Sequence, residues 1–197
     1  YVQQIVSLKP HFSQIIACVN SSCIKKGYWI DEFEKNGIPC LQGADSSDRN
    51  SLIRLRILFR SFEYMTTNTI GSHVAYASSS GCKVSIFGDY GAYRREDFKN
   101  DPYYINYPAV LEEVLSKSSE DVIRRQYPWL FRHPADASSY QEWGKDMIGE
   151  GSHRSASEMA VLLGWTPRKQ ILGYFKESCR LIGDPSALLK LINRYPR

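Results

Sequence analysis

No stretch of the sequence approaches the ~18 consecutive apolar residues that a helix needs to cross a bilayer, so the sequence predicts no membrane span. No charged segment followed by a short apolar core opens the chain, and the expectation is a cytoplasmic protein that is not itself exported. Cysteine is sparse: five residues, an odd number, with no CxxC pair. Cys18 and Cys23 are separated by four residues, but no second Cys or His pair stands near to complete a zinc site. This predicts buried free thiols in a reducing compartment, and no metal or cofactor. Charge of one sign is also lacking. With 25 basic and 21 acidic residues the net charge is +4, which permits an anionic ligand or a membrane surface and requires neither. There is no fixed-period repeat, no low-complexity tract, and no GxGxxG or GxxxxGK[ST] loop. The sequence begins at Tyr1 without methionine, as a fragment or a processed product would.

What remains is a chain of 197 residues, 43% hydrophobic and 23% charged, enough for one sizeable core. Four apolar segments rich in strand formers read as strands: SQIIACVN (13 to 20), IPCLQG (38 to 43), EYMTTN (63 to 68) and CKVSIFG (82 to 88). Between them the spacing predicts a polar loop at NSSCIKKG, a helix over 28 to 35 stopped by Asn36 and Gly37, a helix over SLIRLRILFRSF, and a helix over IGSHVAYASSS. Strands alternating with helices at short intervals predict an α/β fold, a Rossmann-like doubly wound parallel sheet. From Pro108 onward only helices are legible: 108 to 117, 119 to 126, 139 to 148, 155 to 163, 167 to 180 and 185 to 194. The domain reading is a core with its following loop over residues 1 to 107 and a C-terminal helical annex over 108 to 197.

In an open α/β sheet, ligands bind where loops converge on the carboxyl ends of strands. Three such loops are readable: Asn20, Ser21 and Ser22; Gly43 to Asp48; and Thr67, Asn68, Thr69, Gly71 and Ser72. The third is the most informative. A glycine and a serine in the first turn of a helix lie where backbone N–H groups have no intrahelical partner and the macrodipole favours an anion. The structural alternative is that Gly71 serves close packing and Asn68 caps the helix. Ser78 to Ser80 lie at the far end of the same helix and read as a frayed terminus, with Gly81 as its stop.

The series CVNSSCIKKGYWIDEFEKNGIPCLQGADSSDRNSL, followed by FEYMTTNTIGSHVAYASSSGCKVSIFG, resembles the donor-binding C-terminal half of GT-B glycosyltransferases of bacterial surface polysaccharide synthesis. The resemblance spans about residues 13 to 90 and implies a nucleotide and phosphate site at Asn20, Ser21, Ser22, Gly43, Asp45, Thr67, Asn68, Gly71, Ser72 and Gly88, with Thr69 in the same turn. It implies a nucleotide-sugar donor as substrate, a saccharide or lipid-linked saccharide acceptor, a missing N-terminal acceptor-binding domain that supplies the base, and peripheral association with the inner membrane face. The chain departs from the family in lacking the usual ribose-gripping Glu after the third helix and the HP and RxxxxxK pairs that hold a diphosphate. The nucleotide is therefore open, CMP-linked acidic sugars included.

Other residues have two readings each. Arg94 and Arg95 can contact a sugar carboxylate or phosphate, or pair with Glu96 and Asp97. Asp45 and Asp48 can meet Mg²⁺ or cap a turn, and the cap is preferred. His73 reads as a structural histidine. In LIRLRILFR (52 to 60) the aliphatics are expected inside and the arginines solvated. SASEMAVLLGWTPRKQILGYF (155 to 175) has the shape of a helix-turn-helix, with Arg168, Lys169 and Gln170 as the DNA-facing candidates. The mild charge argues against nucleic acid, and a non-catalytic sugar-nucleotide or assembly module is the other alternative.

Overall fold

The computed structural model describes residues 1–45 and 47–183, and the expected helix over 185 to 194 lies outside them. The chain divides into two compact units, Tyr1–Gly151 and Ser152–Arg197.

The first unit is mixed α/β. Helix α1 (Val2–Val6) leads to β1 (Ala17–Val19), two short helices α2 (Ser21–Lys25) and α3 (Ile30–Lys35), and β2 (Cys40–Gln42). Then come α4 (Ser51–Arg60), β3 (Tyr64–Thr67), α5 (Ser72–Ser79) and β4 (Lys83–Ile86), followed by α6 (Pro102–Asn106), α7 (Pro108–Lys117), α8 (Glu120–Gln126) and α9 (Gln141–Met147). All four expected strands form, shorter than their apolar segments. They pair in parallel as β1 with β2, Ala17 opposite Cys40, and as β3 with β4, Tyr64 opposite Lys83. Among the described residues these are two separate pairs, so the continuous doubly wound sheet expected from the alternation is not formed. Alternation sets which segments are strands. Which strands become neighbours depends on what covers their faces, and that is a long-range property. NSSCIKKG is likewise helical over α2 where a loop was expected.

The larger core lies around β3, β4 and α5. Val74, Ala77, Cys82, Val84, Ile86, Ile123 and Leu130 are buried together, with Phe59 of α4. Inside the β3–β4 pair the buried Ser85 hydroxyl donates to Thr66 Oγ1 at 3.0 Å, which satisfies a polar group that burial would otherwise penalise. Helix α9 crosses α5 so closely that a Cβ at Gly144 would stand 2.3 Å from the Ser79 nitrogen. At that crossing Ser78 Oγ donates to the Tyr140 carbonyl at 2.7 Å, and Gln141 Nε2 donates to the Ser79 carbonyl at 3.2 Å. Ser78 is fully buried, so this end of α5 is a packed seam and not the frayed terminus the serine run suggested. Gly81, with φ +100°, ends the helix as expected. A second core joins α1 to α3 and the start of β2 through Val2, Ile5, Leu8, Phe33 and Ile38.

Of the described cysteines only Cys82 is buried. Cys18 is exposed and Cys23 and Cys40 are half-buried, all as free thiols, which corrects the expectation of buried thiols. The side chain of Cys179 lies outside the described residues.

The second unit contains α10 (Ala156–Leu162) and α11 (Pro167–Gly183). A reciprocal cap between Ser155 and Glu158 opens α10. Gly164, at φ +72°, turns the chain into α11.

Candidate functional site

The predicted site residues fall in two groups, one on each strand pair. On β1 and β2, Asn20 follows the strand end and Ser21 and Ser22 open α2. Gly43 donates its N–H to the Val19 carbonyl at 2.9 Å, and a Cβ there would stand 3.1 Å from Cys18 Sγ. Close packing of the strand end accounts for that glycine. The Asp45 carboxylate accepts from the Ser47 N–H at 2.9 Å and the Ser47 hydroxyl at 2.7 Å. These two bonds, with a further one from the Ser21 hydroxyl, hold its pKa down at about 2. The start of α2 therefore already has a carboxylate beside it, and a phosphate placed there would meet a like charge. Asp48 Oδ1 accepts from the Asn50 N–H at 2.8 Å, so both acids serve local turns.

On β3 and β4 the grouping differs. Thr67 ends β3, and its carbonyl accepts from the Phe87 N–H at 2.8 Å, which places the chain after β4 beside the turn into α5. Asn68 reaches across that gap. Its carbonyl accepts from the Gly91 N–H at 2.8 Å, and its Nδ2 donates to the Asp89 carbonyl at 3.3 Å. Asn68 thus ties two loops together and does not cap α5, whose N-cap is Gly71 in extended backbone. The His73 ring folds back over this turn. Its Nε2 lies 3.2 Å from Thr67 Oγ1, and a Cβ at residue 71 would be 2.7 Å from the ring. Burial lowers the His73 pKa, opposed by a hydrogen bond with the Thr69 backbone, so the imidazole is neutral at pH 7. Ser72 is exposed in the first turn. Gly88 belongs to this group by position, but a Cβ there would meet Gln4 Oε1 at 2.6 Å and Tyr1 at 3.2 Å. Its φ of +84° and the cover supplied by α1 account for the glycine without a ligand.

A cleft of about 370 Å³ adjoins this turn, lined among others by Gly71, Ser72, Tyr76, Tyr127, Trp143 and Ile148. Helix α9 runs antiparallel to α5, so its C-terminal end lies beside the α5 N-terminus and offsets part of the positive dipole there. Tyr127 and Trp143 escaped sequence reasoning because no local spacing links residues so far apart in the chain. Gly91 and Gln4, which shape the turn from outside it, were missed for the same reason.

Arg94 and Arg95 are exposed and already paired: Arg94 with Asp97 at 3.8 Å, and Arg95 with Glu112, not Glu96, at 2.5 Å. Beyond them Tyr93, Phe98, Tyr104, Tyr103 and Tyr107 make a run of ring contacts. Among the described residues no cluster of His, Cys, Asp and Glu is arranged to hold a metal ion, and no helix is long and apolar enough to cross a membrane. The α10–α11 pair has the helix–turn–helix outline, and Arg168, Lys169 and Gln170 are exposed in the first turn of α11, alongside the exposed apolar Leu162, Trp165, Ile171 and Tyr174. Comparison with protein-family models, with curated proteins and with solved structures finds no match to the chain.

Proposed function

We propose that the unit Tyr1–Gly151 is the donor-binding half of a GT-B-type glycosyltransferase of surface polysaccharide synthesis, with Rossmann-like strand ends that receive a nucleotide-activated sugar. One observation carries the reading: the end of β3, the first turn of α5 and the 88–91 turn converge, with Asn68 hydrogen-bonded across them. Of the two groups this is the one suited to an anion, because the other has an ionised Asp45 in it. The first-turn N–H groups of Ser72 and His73 and the Ser72 hydroxyl would donate to the leaving phosphate. They are fixed by the helix before the reaction begins, so they would stabilise charge as it develops without reorganising. The neutral His73 adds no charge of its own and holds the Thr67 side chain in place. The acceptor saccharide and the base that deprotonates its hydroxyl would come from the other half.

Calorimetric titration with CMP, UDP, GDP and dTDP tests this reading. One nucleotide should bind, and Ser72→Ala should weaken it about tenfold, the worth of one charge-assisted hydrogen bond of about 1.5 kcal/mol. Gly71 is the wrong residue to change, since any side chain there would displace the His73 ring. Binding of none of the four, or affinity unchanged in Ser72→Ala, would refute the assignment.

A further inference from the structure

Helix α4 turns Leu55 and Phe59 toward the larger core, yet Leu52, Ile53 and Ile57 are 59%, 61% and 63% exposed. This overturns the expectation of an inward-facing aliphatic for Leu52, Ile53 and Ile57, while Leu55 and Phe59 face inward and the arginines are exposed as expected. A ten-residue helix with apolar groups nearly all round can seat only one stripe against a single neighbouring layer. The outward side has a definite pattern. Ile53 and Ile57 stand one turn apart and form a ridge. Arg56 and Arg60, also one turn apart, run along one flank of that ridge, and Arg54 lies on the other. From Arg49 to Ser61 there is no acidic residue. None of the ion pairs among the described residues involves Arg49, Arg54, Arg56 or Arg60, and all four are exposed.

We infer that this face of α4 binds an anionic lipid bilayer, the Ile53–Ile57 ridge entering the headgroup–acyl boundary and the flanking arginines meeting lipid phosphates. A helix lying in the membrane plane needs this cross-section, because arginine stems cover apolar surface while their heads reach the phosphate layer. Charge complementarity favours lipid over a protein face. A protein would have to place fixed carboxylates on both sides of a groove matched to the ridge, whereas lipid phosphates move laterally to each guanidinium and accept bidentate bonds. So short a helix gives reversible binding, to which each arginine near the surface adds about fivefold in partitioning.

The test is co-sedimentation of the full chain with vesicles of phosphatidylcholine alone and of phosphatidylcholine mixed with phosphatidylglycerol. The chain should pellet with the mixed vesicles and only weakly with phosphatidylcholine, and raised salt should reverse the difference. Arg56→Gln with Arg60→Gln should lower partitioning about 25-fold. Ile53→Ser with Ile57→Ser should lower it about tenfold or more through lost apolar burial. These positions are exposed, so both double variants should melt as the parent does. No enrichment on the mixed vesicles would overturn the inference, as would enrichment that survives both double variants. Concentration-dependent self-association that the isoleucine pair removes, without vesicle binding, would overturn it too and give the face to a second copy of the chain.

Discussion

Between β3 and β4 the chain passes through a single helix, α5, whose Val74 and Ala77 are wholly buried; between β1 and β2 it passes through α2 and α3, and Cys18 and Leu41 stay exposed. Both pairs are parallel and both are joined by helices, so topology does not separate them. Cover does. The small residues Ala75, Ser78, Ser79 and Gly144 let α5 and α9 approach almost to backbone contact, and α8 with the turn over Pro128–Leu130 closes the rest through Ile123 and Leu130. On the other side α2 spans only Ser21–Lys25 and α3 only Ile30–Lys35, and the buried stripe of α4 goes to the larger core. The better-covered pair also carries the turn proposed to receive the donor phosphate. A rigid layer behind a loop is what holds backbone donors at fixed positions.

The most severe way to break this contrast is at the helix crossing. Gly144→Leu puts a side chain where Ser79 and Ala75 backbone atoms already stand, and it should cost about 3 kcal/mol or prevent folding. Gly43→Ala, its counterpart on β1 and β2, meets the Cys18 sulfur at 3.1 Å and the Val19 carbonyl oxygen at an ordinary 3.5 Å, and should cost about 1 kcal/mol. Urea denaturation of the two variants measures the difference. Leu130→Ala, from a site with no exposure, should lose about 3 kcal/mol, while Leu41→Ala, 40% exposed, should stay within about 0.5 kcal/mol of the parent.

A smaller effect is in pH. The folded pKa of His73 lies below its unfolded value, so the unfolded chain takes up the proton first. The contribution of the neutral ring to stability is fully present above about pH 6.5, the unfolded value, and is lost as pH falls toward the folded pKa. His73→Gln should remove that slope from a melting-temperature series. Asp45 shifts in the same direction for a different reason, its folded pKa of about 2 being held down by hydrogen bonds to the carboxylate from Ser47 and Ser21. Its stabilising bonds should persist above the ordinary carboxylate range and fail only as pH drops through about 2. Carboxyl chemical shifts followed in acid would show this for Asp45→Asn against the parent.

Much of the local structure was legible in the sequence. The helix over Pro108–Lys117 was bounded correctly because Pro opens its first turn, and the stop at Gly81 because a left-handed residue was needed there. The strand ends were also legible, which is why Thr67, Asn68, Gly71 and Ser72 do lie in one turn. Helix α2 was not, because five residues beginning with two serines read as a loop. Neither the split into two strand pairs nor the burial of Ser78 could be read, since both are long-range: Ser78 is met by Tyr140, 62 residues away in the chain. The outward Ile53–Ile57 ridge was hidden for a related reason: periodicity shows that a helix has an apolar face, and here there were more apolar residues than face to bury.

The most direct measurement is an amide chemical-shift map of the ¹⁵N-labelled chain titrated in turn with CMP, UDP, GDP and dTDP, one of which is proposed to bind. The account predicts the largest shifts at Asn68 to His73 and Gly91, with little change at Asn20 to Ser22. Shifts centred on Asn20 to Ser22 and Asp45, or none at the start of α5, would contradict it.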